Sequence, residues 1–244
     1  MVRWVDAVLE RPADRFDAAV AFWSEVTGSE PVPVPDSGTV TARHDGDRRS
    51  GEPGTAGSVR LRTADGDDWL EIRGVRHGSG GHLPRLWVDG PAAFPGANVS
   101  PAGLPFHVAA WPGQHVRPGP STGPDGVSLR PHQLCFDLAP SVYDDEVRFW
   151  SELTGWSLDE GVQADEFLRL QPAPPVPVRF LLQRLGEERP ASAHLDVSCS
   201  DIRAARAWHE SLGATFLGEW PNWSTFRDPA GGLYCLTKGD PATD

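Results

Sequence analysis

The sequence is short of lysine, of closely spaced cysteines and of long apolar runs, and each shortage removes a class of function. Lys238 is the only lysine, and Asp plus Glu outnumber Lys plus Arg by 34 to 22, a formal charge of −12. A surface that grips phosphates needs clustered basic side chains, so no nucleic-acid partner is expected. No stretch is apolar enough to span a bilayer, and Arg3, Asp6 and Glu10 interrupt the region where a secretion signal would need an unbroken apolar run. A soluble, cytoplasmic protein with no membrane partner is the expectation. Cys135, Cys199 and Cys235 sit in apolar, strand-like surroundings rather than at zinc or redox spacings, and read as buried reduced thiols. A nucleophile elbow, a phosphate-binding Gly-rich loop with Lys-Ser/Thr and a CxxC pair are all missing.

What is present is a repeat. Residues 22–28 read FWSEVTG and residues 149–155 read FWSELTG. Upstream, Phe16-Asp17 aligns with Tyr143-Asp144, and the segments WVDAVLE and PHQLCFD both read as a strand entering a helix. Phe16, Val20, Trp23 and Val26 fall at helical spacing, as do Tyr143, Val147, Trp150 and Leu153, and Gly28 and Gly155 suit the left-handed position after a last turn. A second repeat lies inside each half: SPAGLPFHV at 100–108 matches DPAGGLYCL at 228–236, each a turn feeding a strand. Between these, HLDVSCSDI from His194 reads as a strand ending at an Asp201 helix cap, followed by Ile202, Ala205, Trp208 and Leu212 and stopped by Gly213. Strand, helix and three strands make a βαβββ module.

The strings HLDVSCSDIRAARAWHESLGATF and WSTFRDPAGGLYCLT closely resemble the last module of glyoxalase-like, bleomycin-resistance-like proteins. The paired FWSE-x-TG motifs resemble the four-module actinobacterial branch of that vicinal oxygen chelate superfamily, which also holds the extradiol dioxygenases. The resemblance implies an α+β fold of tandem βαβββ modules forming two cupped mixed sheets. It implies an N-terminal half over 1–111, a Pro/Gly-rich linker over 112–131, a C-terminal half over 132–238 and a tail over 239–244.

The modules are unequal. The interval from His82 to His107 is shorter by about one helix than that from His194 to Cys235, and the Pro- and Gly-rich PAAFPGANVSP at 91–101 cannot replace it. The second module is therefore truncated, without its helix. Its uncovered sheet face should be hidden by a loop or by a second subunit, a homodimer contact. The first module instead carries extra polar, Gly-rich residues between about 36 and 58, a surface loop or a lid over a site.

In the superfamily each half cups a site between its two modules. Period-two alternation puts Leu195, Val197 and Cys199 toward the helix and His194, Asp196 and Ser198 toward the concavity. Carried over from the resemblance, the metal positions are Asp6, His82, Gln133 and His194 on the first strands and Arg73, His107, Gln183 and Cys235 on the last. Asp6, His82 and His107 would make two imidazoles and a carboxylate, an open-sided site for Fe, Mn, Zn or Ni. Glu71 is expected on the face opposite Arg73. The C-terminal set, with Cys235 where the superfamily's metal enzymes carry a carboxylate, reads more naturally as a hydrogen-bonding pocket, with Gln133 and Gln183 as ligand contacts. His44, His77, His115, His132 and His209 read as solvated. Trp23, Trp150 and Trp208 read as core-facing. Trp69, Trp111, Trp220 and Trp223 lie on or beside strands, where rings either pack in the core or stack on a flat ligand.

Two functions from different classes remain open. One is cofactor-free binding of an apolar or aromatic metabolite in a cup, as in antibiotic resistance by sequestration or in secondary metabolism. The other is a lyase, isomerase or dioxygenase, using a divalent metal at Asp6, His82 and His107 or, without metal, His194 and Asp196 as an acid/base pair.

Overall fold

The computed structural model describes all residues except 35–54, 65, 79, 91–95, 114, 160–165 and 173–175, so most of the 36–58 segment lies outside the described residues. The N-terminal half runs β1 (Val2–Pro12), α1 (Phe16–Thr27), β2 (Glu30–Pro33), β3 (Thr55–Arg62), β4 (Leu70–Val75), β5 (Gly81–Val88), β6 (Gly96–Val99) and β7 (Pro105–Ala110). The C-terminal half runs β8 (Ser121–Thr122), β9 (Ser128–Leu138), α2 (Tyr143–Thr154), β10 (Ser157–Asp159), β11 (Phe167–Gln171), β12 (Arg179–Arg184) and β13 (Ser192–Cys199). It continues through α3 (Ile202–Ser211), β14 (Thr215–Glu219), β15 (Trp223–Arg227) and β16 (Leu233–Lys238). The 112–131 segment is thus not all linker, since β8 pairs with β9 and β9 begins at Ser128.

Each half is one mixed sheet, ordered β2-β3-β4-β1-β5-β7-β6 and β10-β11-β12-β9-β13-β16-β15-β14. In both, the first strands of the two modules run antiparallel at the centre, and each is flanked by its module's last strand in parallel. The α+β architecture of tandem modules is therefore present. The second module has lost more than its helix: among the described residues only three strands separate Gly81 from Ala110, where the fourth module has four strands and α3.

Local chemistry explains the helices. α1 buries Ala19, Phe22, Trp23 and Val26 and stops at Gly28, whose φ of +61° is the left-handed cap that a Cβ would strain. α3 starts where the Asp201 carboxylate accepts the Arg203 and Ala204 N–H groups at 2.9 and 3.0 Å. Its inner face carries Ala205 and His209, with Trp208 only partly buried, a rotation from the expected Trp208 face.

The two halves interlock through the repeated parts. The Trp150 ring of α2 lies on Phe136 and Phe180 of its own sheet and, at 5.3 Å, on Phe106 of β7. The sheet face left by the missing helix is thus covered at Phe106 by a helix of the other half, where a second subunit was one expectation. Symmetrically, Phe22 and Trp23 of α1 lie on Tyr234 of β16 at 5.8 and 5.3 Å. The two indoles also play matching polar roles. Trp150 Nε1 donates to Glu146, which accepts Ala102 N–H from the first turn, and Trp23 Nε1 donates to Asp228 in the second.

Candidate functional site

The concave face of the C-terminal sheet holds a cavity of about 690 Å³. Strand register builds its floor in rows. Arg179, Gln133, Asp196, Cys235 and Thr225 lie opposite one another across five strands, and the next row holds Leu181, Cys135 and His194. Asp137 follows, opposite Gln183 and Ser192. Alternation therefore does what the sequence implies for β13: Leu195, Val197 and Cys199 enter the core while His194 and Asp196 line the cavity.

His194 is the centre of this floor. Its Nδ1 lies 3.2 Å from Asp137 Oδ2, and its Nε2 lies 3.3 Å from Asp196 Oδ1. Asp137 is in turn held by Ser192 Oγ at 3.1 Å, and Gln133 Nε2 donates to Asp196 Oδ2 at 2.8 Å. Burial opposes charge on this imidazole, but the Asp137 carboxylate bonded to its Nδ1 favours the charged form, and its pKa is raised above the ordinary range. Burial pushes the Cys135 thiol up to about 12, so it stays protonated beside His194. The result is an oriented imidazole with a carboxylate on each side, able to give a proton to a bound molecule.

One buried oxygen of the floor, Asp196 Oδ1, has an ion-pair contact, His194 Nε2 at 3.3 Å, but no hydrogen bond. It belongs to a set of three buried donors, His194, Asp196 and Cys235, whose ligand atoms lie within 4.8 Å of one another, and Cys135, Asp137 and His194 form a second such set. Nitrogen, oxygen and sulfur donors at that spacing suit a divalent transition ion, and Asp137 behind His194 would orient the imidazole.

The walls are aromatic. Trp220 and Trp223 stack at 5.6 Å with planes 8° apart, and Phe167 meets Trp223 edge-on at 5.7 Å. Gly218 makes this possible, because a Cβ there would come within 2.9 Å of the Trp220 ring. Gln133, Gln183, Trp220 and Trp223 all line the cavity. Trp69 does not: it is a core residue, and Trp111 packs on Trp4 and His115 in the N-terminal half.

The N-terminal cup is filled differently. Asp6 and His107 share its concave face, but Arg85 stands between them in the register, and its Nη1 reaches Asp6 at 3.2 Å and Glu71 at 2.7 Å. Trp4 and Trp87 donate their indole N–H groups to Asp6. His82 is not in this group. It pairs with Leu9, on the opposite face, where Arg11 Nη2 lies 2.9 Å from its Nε2 and the ring also bonds the Ala193 backbone. The trio Asp6, His82 and His107 therefore does not assemble. HLPRLWV and HLDVSCS match as text, but a slip of one residue on a strand exchanges its faces. Glu71 and Arg73 correct another expectation: two residues apart, they share a face and pair at 3.0 Å. Against burial, Arg85 and Arg73 hold the Glu71 carboxyl down at about 2, and burial with the same arginines holds His107 at about 4. Arginine occupies the place a metal would need.

Several histidines are less solvated than expected. His132 is buried in the cavity floor with Nδ1 3.1 Å from Arg179, His209 is fully buried against Tyr234, and His115 stacks on Trp4 and Trp111. On β9 the alternation that puts Gln133 on the cup face also puts Cys135 and Asp137 there, two site residues beyond those expected from the sequence.

Comparisons with known proteins agree with this division. Residues 133–237 match the family model described as Glyoxalase-like domain. No curated protein sequence matches the chain. Among solved structures, 2,2',3-trihydroxybiphenyl 1,2-dioxygenase from Sphingomonas wittichii strain RW1 superposes with a TM-score of 0.60 at 14% identity, over 98% of this chain and 91% of that one. The Mn(II)-bound glyoxalase from Novosphingobium aromaticivorans gives 0.56 at 16% identity, over 97% and 81%. A mutant of 4-hydroxymandelate synthase from Streptomyces coelicolor gives 0.59 at 14% identity, over 98% and 94%. The His194 row of the floor and the aromatic wall fall within the matched residues, while His132, Lys238 and Asp244, which also line the cavity, lie outside them. Residues 133–237 are thus similar to a glyoxalase-like domain, and nearly the whole chain has the fold of these dioxygenase and glyoxalase structures.

Proposed function

We propose that the protein binds a small planar aromatic molecule in the C-terminal cavity, between the Trp220–Trp223–Phe167 wall and the His194 floor. The observation that carries this reading is the wall itself: two parallel indoles and an edge-on phenyl ring face a polar floor across a space of ligand size. A neutral arene such as 2-naphthol should bind saturably by calorimetry and quench tryptophan fluorescence. Trp223→Ala should weaken it by about tenfold, since an aromatic pair contributes about 0.5–1.5 kcal/mol beyond area burial. Absence of saturable binding by 2-naphthol and related arenes would end this reading.

A second reading, a divalent-metal enzyme of this superfamily, has in its favour the buried His194, Asp196 and Cys235 donors within 4.8 Å of one another, with Asp196 Oδ1 free of any hydrogen bond. His194 Nε2, Asp196 Oδ1 and Cys235 Sγ would hold the ion, which would supply Lewis-acid activation of substrate oxygens. Asp137 would fix the imidazole, Gln133 the carboxylate, and the aromatic wall would hold substrate over the floor. Protein purified without a histidine tag and offered Mn, Fe, Zn or Co should then take up one ion per chain. His194→Ala should lose it, and Cys235→Ser should remove the thiolate charge-transfer absorption of the Co(II) form. Uptake that is unchanged in His194→Ala rules out this ligand set.

A further inference from the structure

The 239–244 tail is not free. Pro241 is buried, Asp240 Oδ1 accepts Ala242 N–H at 3.0 Å, and the turn that follows puts Asp244 into the cavity lining. There the Asp244 side chain accepts Ser198 Oγ at 2.6 Å and Arg179 Nη2 at 3.2 Å. Its carbonyl oxygen accepts Arg130 Nη1 at 3.2 Å and a short bond from Arg117 Nη2, and its N–H donates to Asp240 at 3.0 Å. Three guanidinium groups and a hydroxyl thus converge on one residue. Gly239 makes room for it, because a Cβ there would collide with the Asp244 carboxylate.

Arg117, Arg130 and Arg179 lie around Asp244, and Arg169 beside them meets Asp159 at 3.5 Å. Burial, and then Arg130 and Arg179, push Arg117 down to about 10, with Asp244 alone pulling the other way. Burial and Arg169 lower Arg179, with Asp244 again opposing. Arg117 Nε is also buried with no hydrogen-bond partner. Clustered guanidinium groups with donors to spare are what a carboxylate is recognised by. Arg169 and Arg179 line the open cavity, whereas Arg117 and Arg130 stand behind Asp244.

We propose that this cluster is a carboxylate-binding subsite of the C-terminal cavity, filled from within the chain by Asp244, and that the ligand it takes is an aromatic carboxylate that displaces Asp244. The aromatic half of that ligand rests on the function proposed above. The carboxylate half stands on the arginines alone.

The test compares 2-naphthoate with its neutral analogue 2-naphthol by calorimetry on the full chain at neutral pH. Asp244→Ala, which frees Arg179 and Ser198 and keeps the main-chain oxygen on Arg117 and Arg130, should tighten 2-naphthoate by about tenfold or more, the scale of a charge-assisted hydrogen bond. It should leave 2-naphthol within about twofold, because uncharged rings gain nothing from the freed guanidinium group. Gly239→Ala, which displaces the tail and keeps every arginine, should do the same. Adding Arg179→Gln to Asp244→Ala should cancel the gain. Because Asp244→Ala takes the carboxylate from Arg179, its thermal midpoint is read as well: it should recover with 2-naphthoate and not with 2-naphthol. If 2-naphthoate affinity is the same in wild type and Asp244→Ala, or shifts in parallel with 2-naphthol, the subsite is wrong, and 2-naphthol binding by itself would still support the aromatic site. If only 2-naphthoate binds and gains, the subsite stands and the aromatic reading falls. If neither binds any variant, both fall.

Discussion

Lowering the pH from 7 to 4.5 is expected to remove about 2–3 kcal/mol of folding stability through His209 alone, a large part of the roughly 5–15 kcal/mol typical of a domain. His209 lies fully buried on α3, with Nδ1 2.9 Å from the Tyr234 hydroxyl and Nε2 without a partner. Burial alone holds its pKa down at about 3. The unfolded chain takes up a proton near the ordinary imidazole value of about 6.5, and the folded chain refuses it. The contribution is therefore complete above that value. It falls by about 1.4 kcal/mol per pH unit on acidification, until the folded state also protonates. His132, held at about 3, and His82, held well below its ordinary range, act in the same sense, both mainly through burial. His194 acts in the opposite sense: with its pKa raised, its contribution is present in acid and is lost as pH rises through the folded value. Urea unfolding at intervals between pH 7 and 4.5 should show stability falling steadily. His209→Gln, which keeps a partner for the Tyr234 hydroxyl but does not titrate, should lower the slope by about one proton. Equal slopes in the two proteins would mean that His209 is not kept neutral by the fold.

That histidine also shows what the sequence could and could not reveal. The helix from Ile202 was legible from its Asp201 cap and Gly213 stop, yet a helix with Ala205 and both Trp208 and His209 does not say which large ring turns inward. Apolarity favoured Trp208; the surface made by Tyr234 of its own sheet and Phe22 of the other half admitted His209 instead. The same limit applies to the repeat. FWSE-x-TG marked Trp23 and Trp150 as core residues, but a repeat carries no information about contacts beyond its own module, so the reach of each helix to the other half's sheet stayed hidden. On strands, alternation was reliable wherever the face was anchored by a long apolar run, as in Leu195, Val197 and Cys199. It failed on β5, where HLPRLWV offers histidine and arginine on opposite faces and the apolar residues do not alternate. Anion recognition at Asp244 was unreadable for a different reason: Arg117, Arg130, Arg179 and Ser198 come from four separate segments.

Replacing Asp228 by Ala should produce the largest loss of stability of any single polar substitution considered, about 3–5 kcal/mol, because it strands a buried guanidinium. Arg11 Nε lies 2.7 Å from Asp228 Oδ2, and the two side chains are 1% and 0% exposed. Asp228 also accepts Trp23 Nε1 at 3.0 Å through the same oxygen, and the Ala230 and Gly232 N–H groups at 2.9 Å through the other. One carboxylate thus closes the DPAG turn and ties it to β1 and α1 of the other half. Its pseudo-symmetric counterpart gives the control. Glu146 is equally buried and also joins an indole to a turn, Trp150 to Ala102, but among the described residues no arginine bonds it. Glu146→Ala leaves two neutral donors without a partner, about 1–3 kcal/mol each at most, and no stranded charge. If desolvated charge dominates, Asp228→Ala should unfold at clearly lower urea than Glu146→Ala. Adding Arg11→Met to Asp228→Ala should then restore much of the loss, since a buried pair replaced at both ends costs far less than one broken at a single end. A double variant no more stable than Asp228→Ala would place the cost in the turn and the Trp23 bond. The interface between the halves would then be held by Phe22, Trp23 and Tyr234 packing, with the ion pair contributing only orientation.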